Sequence, residues 1–203
     1  LTCQYHSWSY DTQGRLKAVP DSRSFVDLDT DELALVPLRC EVWQGWVFVN
    51  EDSDADSLVD FLGPICDQML DINGPGMRRV GRQIHRVEAN WKLMVDAFLE
   101  VYHIRTVHPD NAALLYDDQS VTVSMLPNGH SRLTTEKREE LRDFPMVSDQ
   151  YDNPSVGLLW RQTSTSFGIF PNLVVPMDTG AFTFLSMWPV DQRSTELELN
   201  WFA

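Results

Sequence analysis

Glu100, His103 and His108 fall in one short stretch that opens with Asn90-Trp91-Lys92 and closes with His108-Pro109. Two imidazoles and a carboxylate this close in sequence can make a metal site. Neutral imidazoles suit iron, zinc or copper, and two His with one carboxylate that leave positions open suit a non-haem Fe(II) that binds oxygen. On an unbroken helix, residues five apart point about 140° away from each other, so His103 and His108 share an ion only if the helix ends or bends between them. Ile104, Thr106 and Val107 are weak helix formers and Pro109 disfavours helix at His108, so a break is expected there. Glu100 stands three residues before His103, one helical turn earlier on the same face, near the metal or bonded to a ligand imidazole. This spacing differs from His-Glu-x-x-His, in which a straight helix holds zinc. Two hydrogen-bonded structural histidines near a helix end are the alternative that spacing alone leaves open.

A second pair lies at the other end of the chain. Cys3-Gln4-Tyr5-His6 puts a thiolate and an imidazole on one tight loop, followed by alternating residues and an Asp11-Thr12-Gln13-Gly14 turn. One Cys and one His from a loop can bind different irons of a [2Fe–2S] cluster when a second loop supplies another of each. By itself the pair reads equally as a buried Cys and a chance His.

Both stretches carry a resemblance. Cys3-Gln4-Tyr5-His6-Ser7-Trp8, with Gly14 beyond it, resembles the second half of a Rieske cluster motif. Asn90-Trp91-Lys92 and Glu100-Val101-Tyr102-His103-Ile104-Arg105-Thr106-Val107-His108-Pro109 resemble the mononuclear-iron segment of the α-subunits of Rieske non-haem iron ring-hydroxylating oxygenases. Their order and the gap of roughly a hundred residues fit as well, and Phe170-Pro171-Asn172-Leu173 resembles a strand segment of the same catalytic domain.

The resemblance implies Cys3 and His6 as ligands of a [2Fe–2S] cluster and His103 and His108 as ligands of a mononuclear Fe(II). It implies Glu100 as the acidic residue that bridges the two His ligand shells between subunits, where many members have Asp, and it implies that Asp96 and Ile104 face the substrate. No Cys-x-His precedes Cys3, and the family's third iron ligand, an Asp, usually lies well beyond the second His. The chain is therefore expected to be a fragment, with half of the cluster motif before Leu1 and the third ligand beyond Ala203. Asp178 and Asp191 are the nearest in-chain substitutes, and neither is favoured.

The elements that must position these residues read as α+β. Residues 1–55 are expected to be the C-terminal part of a β-rich Rieske domain: the Cys3 loop, a Tyr10 to Leu16 hairpin, then Leu38 to Trp43 and Trp46 to Asn50 joined by Gln44-Gly45. Residues 56–203 are expected to be the N-terminal part of a catalytic domain that resembles a helix-grip fold. A helix starts at Ser57-Leu58-Val59-Asp60 and is disturbed at Gly63-Pro64, and a strand spans Val80 to Val87 before the ligand-bearing helix. Asn111 to Gln150, polar and mixed in charge, reads as a mobile loop or short helices. Strands are expected at Ser166 to Pro176, Ala181 to Pro189 and Thr195 to Ala203 in an antiparallel sheet with one wet face. An apolar cavity between sheet and helix, which Phe98, Phe167, Phe170, Phe182, Phe184, Trp160 and Trp188 could line, is a site for a hydrophobic substrate, although core packing is the commoner role for any one of them.

Composition narrows the classes. A net charge of −14 argues against a nucleic-acid partner, and no apolar run is long enough to span a membrane. Three cysteines make no disulfide framework, and Cys40 and Cys66 read as reduced core residues of a cytoplasmic redox enzyme.

In the family resembled, electrons from NAD(P)H pass through a reductase, sometimes with a ferredoxin, to the cluster and then to the iron, which activates O2. That implies hydroxylation or dihydroxylation of an aromatic or other hydrophobic substrate, as in aromatic hydrocarbon catabolism, by a homotrimer or an α3β3 assembly. Monooxygenation, as an O- or N-demethylase or on a quaternary amine, is the alternative. More distant alternatives are a zinc hydrolase built on His103, His108 and Glu100, and a non-catalytic helix-grip ligand binder.

Overall fold

Asp11 organises the first hairpin. Its Oδ1 accepts the amide N–H groups of Gln13 and Arg15, both at 2.9 Å, and its Oδ2 accepts from the Arg15 guanidinium. Those bonds, the Arg15 amide foremost, hold the Asp11 carboxyl below its ordinary pKa. With Gly14 at φ 79°, the turn joins β1 (Ser9–Tyr10) to β2 (Leu16–Ala18). A second hairpin pairs β3 (Arg39–Trp43) with β4 (Trp46–Asn50). Gln44 and Gly45 both have positive φ, as a two-residue hairpin that follows strand twist requires. Cys40 is exposed on β3, so it is not the core residue its type suggested, and Cys66 is half-buried.

The computed structural model describes residues 1–72, 74–142, 156–177 and 182–203. It divides into two compact units, Leu1–Val42 with Trp46–Ala55, and Trp43–Gly45 with Asp56–Ala203.

In the second unit, Ser57 caps α1 (Leu58–Leu62): its hydroxyl accepts the Asp60 N–H at 3.2 Å and donates to the Asp60 carboxylate at 2.6 Å. Gly63 then breaks the helix, and Pro64 opens α2 (Pro64–Gln68) at the position where a missing N–H costs nothing. There follow β5 (Arg79–Val87), α3 (Trp91–Phe98), α4 (Ile104–Val107), α5 (Ala112–Leu115), β6 (Tyr116–Met125), β7 (Ser131–Lys137), α6 (Leu158–Gln162), β8 (Thr163–Ile169), β9 (Leu173–Met177), β10 (Phe182–Pro189) and β11 (Thr195–Phe202). Seven strands make one sheet in the order β5-β11-β10-β9-β8-β7-β6, and the pairings described are antiparallel. The fold is α+β.

Two expectations are corrected. The stretch Ser166 to Pro176 is not one strand: β8 and β9 pair with each other, and Phe170-Pro171-Asn172 is the turn between them. The Phe170–Pro171 peptide is cis, and Asn172 Nδ2 donates to the Met187 carbonyl at 3.0 Å. Most of Asn111 to Arg142 is not loop but the β6–β7 hairpin, whereas residues 143–150 lie outside the described residues. Asn128 and Gly129, both at positive φ, turn that hairpin.

His130 ties the hairpin to the rest of the unit. It is fully buried; its Nδ1 accepts the Phe170 N–H at 3.0 Å, so Nε2 carries the hydrogen and donates to the Phe61 carbonyl at 2.9 Å. Asn128 Nδ2 donates to the same carbonyl at 2.8 Å, so the last turn of α1 ends on side chains rather than on water. Burial pushes the His130 pKa below the ordinary histidine value, against the hydrogen bond to Phe61, which raises it.

Candidate metal centre

Asn90 starts the segment that carries the candidate donors. As N-cap of α3 its Oδ1 accepts the Lys92 N–H at 3.0 Å, while its Nδ2 donates to the Gln192 carbonyl at 3.0 Å. Thr195 Oγ1 donates to the Ala89 carbonyl at 2.7 Å, so the β10–β11 hairpin holds the start of α3 from two sides. One stripe of the helix, Trp91, Met94, Val95 and then Leu99, packs on Val174, Leu185, Met187 and Leu197 of the sheet. Each side chain fully buried there contributes about 1.5–3 kcal/mol.

The helix stops at Phe98, before both histidines rather than between them as the spacing predicted. The Glu100 side chain is the reason. Its Oε2 accepts the amide N–H groups of Tyr102 and, at 3.3 Å, His103, which a continuing helix would give to the Phe98 and Leu99 carbonyls. The chain resumes as α4, a single turn with His103 as its N-cap residue and His108 as its C-cap residue. Two residues that a straight helix would point apart now have ring centroids 5.3 Å apart, with the planes at 74°.

Glu100 Oε1 also bonds His103 Nδ1. With the carboxylate ionised, Nδ1 carries the hydrogen and Nε2 keeps its lone pair for a ligand role. Burial raises the Glu100 pKa, but the hydrogen bonds from the His103 ring and the Tyr102 amide outweigh it and hold the carboxyl below its ordinary value. The donor set fits two positions of a mononuclear iron site. Among the described residues no group of three or more His, Cys, Asp or Glu converges on one point. Asp178 lies outside the described residues. Asp191 serves the β10–β11 turn, accepting from the Arg193 amide at 2.7 Å and the Ser194 hydroxyl at 2.8 Å. Those two bonds, the amide first, hold its carboxyl below the ordinary value.

Cys3 and His6 share a tight exposed turn. Cys3 N donates to the Trp8 carbonyl at 2.8 Å, Ser7 N donates to the Cys3 carbonyl at 2.9 Å, and Ser7 adopts φ 61°. The thiol is free and both side chains are exposed, which fits one Cys and one His position of a Rieske-type cluster. Trp8 meets Phe25 edge-on, with ring centroids 5.8 Å apart.

Of the substrate-facing candidates, Asp96 is exposed on α3, and Ile104 is buried as the first residue of α4. A cavity of about 50 Å³ lies between α3 and the sheet, lined by Val95, Leu99, Gly129, Ser131, Gly168 and Phe170 among others. That is well below the roughly 300–1,000 Å³ of small-molecule pockets. Only Phe170 of the seven expected aromatic residues lines it. The strand register puts Phe182 and Phe184 on the face opposite Leu185 and α3, where they pack with Phe202, while Phe167 packs with Trp160. Trp188 and Phe98 are exposed. Sequence reading also passed over Arg105, whose Nη2 donates to Asp118 Oδ1 at 2.6 Å, and over His130; neither bond has a local sequence signal.

Residues 76–203 match the family described as the ring hydroxylating alpha subunit, catalytic domain. The chain belongs to this family. It is 29% identical over 206 residues to the carnitine monooxygenase oxygenase subunit of Acinetobacter pittii, covering 96% of this chain and 51% of that protein. It is 38% identical over 112 residues to the chlorobenzene dioxygenase subunit alpha of a Cupriavidus species, covering 52% of this chain and 25% of that one. Naphthalene 1,2-dioxygenase from Rhodococcus bound to indole has the same fold, with a TM-score of 0.80 at 24% identity over 100% of this chain and 54% of that chain. The chain thus spans about half the length of the relatives that match it nearly end to end. Among the described residues no helix is long and apolar enough to cross a membrane.

Proposed function

We propose that this chain is part of the terminal oxygenase subunit of a Rieske non-haem iron oxygenase, with His103 and His108 holding the mononuclear iron and Cys3 and His6 holding half of the [2Fe–2S] cluster. The observation that carries the reading is the Glu100–His103 pair at the one-turn helix, in a chain of the ring hydroxylating alpha subunit family. Residues 1–55 belong, on this reading, to the cluster domain and residues 56–203 to the catalytic domain. When bound, the two iron groups supply electron storage and O2 activation. The protein's own part is positional. Glu100 fixes the tautomer of His103 and stays ionised, α4 sets the two rings side by side, and the seating of Leu99 on the sheet fixes where Glu100 begins. Glu100 also serves as the bridge between His shells of neighbouring subunits in a homotrimer or an α3β3 assembly, and a reductase, with or without a ferredoxin, brings electrons from NAD(P)H in the cytoplasm.

The substrate is an aromatic or other hydrophobic compound that is hydroxylated or dihydroxylated, with Asp96 and Ile104 beside it. A second reading, monooxygenation of a quaternary amine, is favoured by the near end-to-end match to carnitine monooxygenase subunits. An anionic Asp96 would complement such a cation, so Asp96→Asn separates the two readings through the loss of cationic substrates alone.

The test is reciprocal. In the full-length protein, His103→Ala or His108→Ala should abolish mononuclear iron and product while leaving the Rieske absorption, and Cys3→Ser should remove that absorption and leave the mononuclear iron. Turnover retained in either His variant would sink the assignment.

A further inference from the structure

We infer that Arg105 and Asp118 form a clamp that sets the separation of the His103 and His108 imidazoles, so that both are positioning residues for the iron site; this rests on the reading of those histidines given above. The helix between the histidines has four residues, Ile104–Val107. One turn cannot hold its own shape in water, because nucleation fixes several residues for a single hydrogen bond. Its geometry must come from what it is fastened to. Thr106 Oγ1 donates to the His103 carbonyl at 3.1 Å, which is internal to the turn and fixes nothing beyond it. Both ends are held, since Glu100 accepts the His103 N–H at 3.3 Å and the His108 carbonyl accepts the Ala113 N–H at 3.1 Å, and within the turn itself Ile104 is buried as one apolar anchor.

The second anchor is Arg105, midway between the two candidate ligands, with its Nη2 2.6 Å from Asp118 Oδ1. Asp118 sits where the β6–β7 ladder slips: between the Tyr116–Lys137 and Val121–Thr135 pairs, β6 advances five residues against two of β7. An extra loop of strand of this kind takes a side chain off the ladder and aims it elsewhere, and such bulges gather beside functional sites. Asp117 shapes the bulge by accepting the Gln119 N–H at 3.0 Å. The Asp118 side chain is only 12% exposed against 62% for Arg105, so the carboxylate is recessed in the bulge and the guanidinium reaches it from α4. The hydrogen bond and charge of Arg105 lower the Asp118 pKa, with Arg138 adding to the effect, so the acceptor stays ionised. Arg138 itself fastens α5, its Nε donating to the Ala113 carbonyl at 2.8 Å. Bulge, carboxylate and guanidinium thus give the ligand turn a fixed point on the sheet side.

The clamp is tested in the full-length protein with Asp118→Asn and Arg105→Gln, the latter an exposed change that leaves the bulge untouched. Iron affinity is measured by competition with a chelator, and site geometry by the ligand-field spectrum of the Co(II)-substituted mononuclear centre. Each variant should bind Fe(II) about 10-fold more weakly, as loss of a group that orients a ligand does. Each should also shift the Co(II) bands, and the double variant should be no worse than either single, since both remove one interaction. An unchanged affinity and spectrum in Arg105→Gln would overturn the clamp. A lowered melting temperature with an unshifted Co(II) spectrum would do so too, by making the pair merely structural. If His103→Ala also leaves iron in place, the iron assignment itself fails; if it removes iron while the clamp variants are silent, only the clamp fails.

Discussion

Gly168, one residue before the end of β8, offers a sharp test of how the sheet seats the donor segment. Its φ lies outside the left-handed region, so alanine is conformationally allowed there and the cost of substitution is purely one of contact. A Cβ added at Gly168 would stand 2.6 Å from Ser131 Oγ and 2.7 Å from Leu99 Cδ1. Carbon atoms sit comfortably at about 3.5–4.0 Å, so Leu99 must retreat by about 1 Å. Ser131 can rotate its hydroxyl away, but Leu99 is packed against the Val174, Leu185, Met187 and Leu197 cluster. Overpacking of this kind costs about 1–3 kcal/mol, and the reduced freedom of the unfolded alanine chain offsets about 0.4–1 of it. Gly168→Ala should therefore destabilise the catalytic unit by about 1–2 kcal/mol, read as a lowered urea midpoint by tryptophan fluorescence. Leu99→Ala removes the obstructing methyls, so the double variant should be more stable than the sum of the two singles by about 1 kcal/mol. Additivity within about 0.3 kcal/mol, or a stabilising Gly168→Ala, would show that Leu99 is not seated on this glycine. Because Glu100 follows Leu99 directly, Gly168→Ala should also weaken iron retention.

Two further outcomes follow from the same residues. His130 is buried and has a folded pKa below its unfolded value of about 6.5, so the unfolded chain takes up the proton first as pH falls. Its contribution is complete above that value and is lost as pH drops through it toward the folded pKa, with a slope of up to about 1.4 kcal/mol per pH unit. His130→Gln should flatten the pH dependence of the urea midpoint below about pH 7, and an unchanged slope would mean that His130 takes up its proton equally in the folded and unfolded chains. Glu100→Gln keeps an acceptor for His103 Nδ1–H but loses the charge, so iron content should fall by no more than about 10-fold while turnover falls by more. Equal losses in iron and turnover would make Glu100 a support for the ligands and nothing else.

What was legible in the sequence was local. The Ser57-x-x-Asp60 start, the Gly63-Pro64 break and the Gln44-Gly45 turn each act within four residues, and the structure builds each of them. The β6–β7 hairpin was legible too, in Asn128-Gly129 between Val121-Thr122-Val123 and Leu133-Thr134-Thr135, but the charges at Asp117, Asp118 and Arg138 to Arg142 hid the alternation. The cis turn at Phe170-Pro171 was read as strand because apolar runs, Phe167 to Ile169 and Leu173 to Val175, lie on either side of it. Aromatic residues near one another in sequence were read as one lining, whereas strand alternation sends Phe182 and Phe184 to the face away from α3.

The candidate donors divide along the same line. Their identity and the end of α3 ahead of them are written in a few consecutive residues, since Glu100 takes the very amides that would have continued α3. Their orientation is not. It depends on Asp118 reaching Arg105 and on Gly168 making room for Leu99, and each of those contacts joins segments that meet only because the sheet order brings β6 and β8 under the helices. Loss of a candidate ligand, as in His103→Ala or His108→Ala, should therefore remove the metal outright. A substitution at one of the distant contacts should leave a folded protein that still binds metal, more weakly and with altered geometry, because imidazoles displaced by a fraction of an ångström remain donors.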